Sequence, residues 1–71
     1  MKLLYRVKDQ YNDRWLDNWS VRHCNYNNEF FNDYVEDAHI FDSLEEIYEL
    51  IDEHSLEVQI ETIYIGNRVW N

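Results

Sequence analysis

The chain has 71 residues, 45% hydrophobic and 17% aromatic, and its 6 Lys and Arg against 15 Asp and Glu give a net charge of −9. A length like this holds one small domain burying about 60–65% of its unfolded surface, and the composition is that of a folded chain. The charge excludes direct binding to a DNA or RNA backbone, which needs cations to displace counterions, and attraction to an anionic membrane.

In chain order, Lys2 to Lys8 alternates, with Leu3, Tyr5 and Val7 on one side and Leu4, Arg6 and Lys8 on the other. This predicts a half-buried strand. Its frequent charges exclude the apolar run of a signal peptide or a membrane span. Asp9 to Asn18 is rich in turn-forming Asn and Asp and reads as a long hairpin connection. It leads to a second alternating segment, Trp19 to Cys24, predicted as a strand.

Glu29 to Phe41 admits two readings. Phe30, Phe31, Tyr34 and Val35 are spaced for a short helical turn or two, whereas Ala38 to Phe41 suits a short strand. Ser43 to His54 predicts the clearest helix. Ser43 is a good N-cap with Glu46 three residues on, and Leu44, Ile47, Leu50 and Ile51 form one apolar stripe with Tyr48 at its margin. Asp52 and Glu53 sit at the end where acids oppose the helix dipole, so something other than helix stability favours them.

Leu56 to Ile65 is β-branched and alternating, and its last residues are apolar on both faces, which predicts a central position at that end. Gly66-Asn67 is a two-residue hairpin signal, followed by Arg68-Val69-Trp70 as a short returning edge strand. The expected fold is α+β, a single domain over residues 1–71. It holds a small antiparallel sheet of three or four strands with one main helix packed on a face.

A lone Cys24 allows no intrachain disulfide, which points to a reduced, cytoplasmic compartment. Cys24 is expected to be packed as a small hydrophobe. Together with His23, His39 and His54 it shows no zinc-ligand spacing, and no acidic loop has calcium-binding form, so neither metal nor cofactor is expected. On a strand, His23 and Cys24 would face opposite ways and form no nucleophile–base pair. The chain reads as a non-enzyme.

Charge is segregated. Residues 1–22 hold Lys2, Arg6, Lys8, Arg14 and Arg22 against Asp9, Asp13 and Asp17. Residues 23–67 hold twelve acids and no Lys or Arg. Natural surfaces usually intersperse the signs, and such a block destabilises a small fold by self-repulsion. Glu45, Glu49 and Glu53 recur every four residues, about 6 Å per step on a helix. Phosphates on one strand of B-DNA lie about 3.4 Å apart in rise, and roughly twice that through space. An acidic helix exterior is also what an ordinary solvated face looks like, and a block without one lysine is less often only that.

Among the aromatics, Phe30, Phe31, Phe41, Tyr5, Tyr48 and Tyr64 are expected in the core. Trp15, Trp19, Trp70 and Tyr11 fall in or near loops and edges, where a marginal core recruits such rings for burial or, left exposed, they make interaction hot spots.

In size, charge and acidic block, the chain resembles the small anti-defence proteins that bacteriophages encode, including anti-CRISPR and anti-restriction nucleic-acid mimics. That resemblance implies a non-enzymatic inhibitor in the bacterial host cell. Such a protein occupies the basic nucleic-acid-binding cleft of a CRISPR effector or restriction nuclease. In that role Glu45, Glu46, Glu49, Asp52 and Glu53 would face the cations of the partner. Asp33, Glu36 and Asp37 would extend the surface, and an aromatic such as Trp15 or Tyr11 would anchor it. The alternative is a protein–protein interaction module or accessory subunit without mimicry, with homo-oligomerisation as one source of its stability.

Overall fold

Two alternating segments become strands, Lys2–Asp9 (β1) and Val58–Ile65 (β2). The computed structural model describes residues 2–65; the expected hairpin at Gly66-Asn67 and the returning strand Arg68-Val69-Trp70 lie outside them. The strands pair antiparallel, from Lys2 opposite Ile65 to Asp9 opposite Val58. Facing residues share a side of the sheet, so Leu3, Tyr5, Val7 and Asp9 join Val58, Ile60, Thr62 and Tyr64 on an inner face. Lys2, Leu4, Arg6 and Lys8 join Gln59, Glu61 and Ile63 on an outer one. Val7 is buried in the core, and Tyr5, Val58 and Ile60 pack against it.

The expected three or four strands are two among the described residues. The far edge of β1 is closed by short backbone bridges instead. Tyr5 exchanges both backbone bonds with Phe41 (2.8 and 2.7 Å), the Leu16 N–H donates to the Val7 carbonyl (2.9 Å), and the Asp9 N–H donates to the Arg14 carbonyl (2.8 Å). The connecting chain is dense in Asn and Asp, whose side chains bond nearby backbone and end each pairing after a residue or two. Asn27 and Asn32 both do this, accepting from the N–H groups of Glu29 and Tyr34. Among the described residues the strand with both edges engaged is therefore β1.

The segment expected as a second strand, Trp19 to Cys24, is mostly helical. Helix α1 spans Asn18–Arg22 because Asp17 caps it, its Oδ1 accepting from the Ser20 N–H at 2.9 Å. Its Oδ2 accepts from Asn32 Nδ2 at 3.2 Å. A local cap of this kind contributes about 0.5–2 kcal/mol, enough to override a six-residue alternation. Cys24 follows with φ 53°, and its thiol is exposed, not packed as expected.

Both readings of Glu29 to Phe41 hold in part. Single 3₁₀ turns form at Asn28–Phe30 and Val35–Asp37, while Ala38 bridges Asp17 and Phe41 bridges Tyr5. The Arg14 guanidinium fastens this stretch, donating to the carbonyls of Asn28, Glu29 and Phe31.

The predicted helix is present as Leu44–His54 (α2), with Ser43 Oγ accepting from the Glu46 N–H. Ser55 ends it in the left-handed conformation, its N–H returning to the Ile51 carbonyl. Ile47, Leu50 and Ile51 bring α2 onto the inner face, where Ile47 completes a core with Val7, Leu16, Phe31 and Phe41. The mixed α+β character is as expected. Three rings expected in the core are not there: Phe30, Tyr48 and Tyr64 are 51%, 57% and 69% exposed. Among the described residues no helix is long and apolar enough to cross a membrane.

Candidate protein-binding surface

Packing of α2 decides where its acids go. With Ile47, Leu50 and Ile51 turned to the sheet, Glu45, Glu46, Glu49, Asp52 and Glu53 all stand exposed, with Tyr48 among them. Three ion pairs occur among the described residues: Arg6–Glu61 (2.6 Å), Lys8–Asp13 (3.3 Å) and Arg14–Asp33 (3.6 Å). None involves an acid of α2. Arg6, Lys8 and Arg14 are engaged elsewhere, so no ion pair among the described residues relieves the charge of the helix. The charges of Glu53 and Glu46 do reach Tyr26, whose phenol is held above its usual value first by burial and then by Cys24 and these carboxylates.

The other expected acids are exposed but belong to a different part of the fold. Asp33, Glu36 and Asp37 lie on a stretch tied to the N-terminal half by the Trp15–Asn32 and Asp17–Ala38 bridges. Tyr11 stands exposed after β1, and hydrogen bonding to the Glu57 carboxylate, with its charge, raises the phenol above its usual value.

Trp15 is half-buried and tied down, which limits it as an anchor. Its Nε1–H donates to Glu61 Oε1 at 2.8 Å, the same oxygen that accepts from Arg6 Nε. Partial burial opposes ionisation of Glu61, but the donors Arg6 and Trp15 outweigh it, aided by the charges of Arg6 and Lys8, so the carboxyl sits below its usual value. A lowered acid contributes stability that is full above the unfolded value, about 4.3, and is lost as pH falls through the folded one. The urea midpoint is therefore expected to drop between about pH 5 and pH 3 in the native chain. Glu61→Gln should flatten part of that slope, and an unchanged slope would remove Glu61 from the account.

The exposed aromatic cluster is elsewhere. Trp19 and Phe30, each 51% exposed, have ring centroids 6.5 Å apart, and His23 stacks on Trp19 at 4.3 Å. His23 Nδ1 also meets the Trp19 carbonyl, at 2.8 Å. Sequence reasoning named Trp19 among the edge aromatics but not this grouping. Its signal is the i, i+4 spacing of Trp19 and His23, visible only once the segment is read as a helix.

Among the described residues there is no pocket and no group of three His, Cys, Asp or Glu able to hold a metal. The described surface carries exposed carboxylates and exposed rings. No protein family, curated protein or solved structure matches the chain.

Proposed function

We propose that this protein is a non-enzymatic inhibitor that sets α2 into the basic nucleic-acid-binding cleft of a host protein, such as a CRISPR effector or restriction nuclease in the bacterial cytoplasm. One observation carries the reading: five exposed carboxylates line α2, and none of the ion pairs among the described residues uses them. A cleft lined with Lys and Arg relieves that self-repulsion. Long-range charge speeds the encounter, and apolar contact at the centre slows dissociation. The test is capture of partners from a bacterial lysate at low salt, release along a salt gradient, and assay of the released protein's own nucleic-acid binding. A nuclease or polymerase is expected, released by moderate salt as the contact is screened, with its nucleic-acid binding blocked by the chain. A partner that resists high salt and still binds nucleic acid overturns the reading.

The Trp19–His23–Phe30 cluster favours a second reading, an accessory module that docks through exposed rings. Under it, Trp19→Ala abolishes capture at every salt concentration, whereas loss of charge on α2 does not.

A further inference from the structure

The outer face of the sheet lies opposite the layer formed by α2. It holds Lys2, Arg6 and Lys8 on β1, half-exposed Leu4 and Ile63, and the edge of Trp15 bound to Glu61. Lys2 is exposed and Arg6 engages Glu61 through Nε alone, whereas Lys8 is mostly buried against Asp13 and the Asp9 carbonyl. Half the cations of the chain thus share one sheet face with apolar residues between them.

The exterior of α2 has the complementary pattern. Glu45, Tyr48, Glu49 and Asp52 fall at i, i+3, i+4 and i+7, a single stripe about 10 Å long. The exposed part of the cationic row runs about 13 Å from Lys2 to Arg6 at strand rise, so the stripe fits within it, carboxylates toward cations and Tyr48 toward Leu4 and Ile63. We infer that the outer sheet face seats the α2 exterior of a second copy of this chain. The sheet, which has a helix layer on its inner side, would gain one on the other, completing a three-layer arrangement across copies.

Geometry sets the symmetry. Within one copy the two surfaces point in opposite directions, so two copies cannot satisfy each other reciprocally. The contact is head-to-tail and leaves a free surface at each end, which permits further addition. Charge sets the salt dependence. At about 0.01 M salt the Debye length is about 30 Å, and whole molecules at −9 repel. At about 0.15 M it is about 8 Å, so the long-range repulsion is screened while pairs in contact persist, and at about 1 M the pairs weaken too. Association therefore peaks at intermediate salt. This inference stands apart from the proposed inhibition, although the associated form covers the same stripe and would compete with a target for it.

The test needs no target, so its failure is separate from failure of the inhibitor reading. Sedimentation equilibrium of the purified chain at about 0.01, 0.15 and 1 M salt should show masses above 8.9 kDa that grow with concentration and are greatest at the middle salt. Lys2→Glu spoils the seat and Glu49→Lys spoils the stripe, so each alone should associate at least about tenfold more weakly. Mixed, they should associate, since one intact stripe then meets one intact seat and the two reversed surfaces carry opposite charge. Circular dichroism confirms that both variants fold. A native chain that stays at 8.9 kDa at all three salts, or a mixture of variants that stays monomeric, overturns the inference.

Discussion

Phe41→Ala is expected to remove a large share of the stability of the fold, about 3–5 kcal/mol. Phe41 is 2% exposed and sits at the junction of the fold. Its ring belongs to the core with Val7, Leu16, Phe31 and Ile47, and its backbone forms the reciprocal bridge to Tyr5. Truncating a buried Phe costs about 3–5 kcal/mol, against a total stability of about 4–10 kcal/mol for a chain of this length. The backbone bridge survives the substitution but loses the ring that excludes water from it. With a urea slope of about 1 kcal/mol/M, the midpoint should fall by about 3–5 M. Tyr48→Ala is the control, since its ring is exposed on α2 and its removal should change stability by no more than about 0.5 kcal/mol. Equal midpoints for the two variants would show that the core is centred elsewhere.

The second large effect is on binding. Replacing Glu45, Glu49, Asp52 and Glu53 together by Lys changes the net charge from −9 to −1 and should reduce target affinity by at least about a thousandfold, because like charges brought together cost several kcal/mol. The fold is expected to survive. These side chains are exposed and take no part in the described ion pairs. Lys at positions 52 and 53 also suits the C-terminal end of α2, by about 0.3–1 kcal/mol each, which offsets the loss of Glu45 from the first turn. Affinity of the native chain should fall steeply with salt, and that of the variant should be nearly flat. A folded variant that still blocks its target would overturn the mechanism.

These elements differed in how far the sequence alone could reveal them. β1, α2 and β2 were legible because each carries an unbroken period, and Ser43 marks where α2 begins. Exposure of the α2 acids was legible too, since an unpaired charge is too costly to bury. Trp19 to Cys24 misled because six residues of alternation are compatible with a strand, and the deciding contact is a single capping bond from Asp17. The width of the sheet was illegible for a related reason. Bridges one residue long at Phe41, Trp15 and Ala38 leave no periodic run to detect. Trp15 illustrates the last kind of failure, for its partner Glu61 lies 46 residues away and no local pattern connects them. Tyr64 shares the inner face with Ile60 yet stays exposed, because α2 meets the sheet around Val7 and Ile60 and not at that end.

The pairing of β1 with β2 also sets a schedule for synthesis. The two strands are separated by about fifty residues, and contacts of such long sequence range form slowly. A ribosome adding about 5–20 residues per second needs roughly 3–10 s to produce that stretch. The first strand is thus made and emerges ahead of its main partner, with Leu3, Leu4 and Tyr5 in sequence. Lys2, Arg6 and Lys8 flank that apolar trio and act as gatekeepers against premature pairing with other nascent chains.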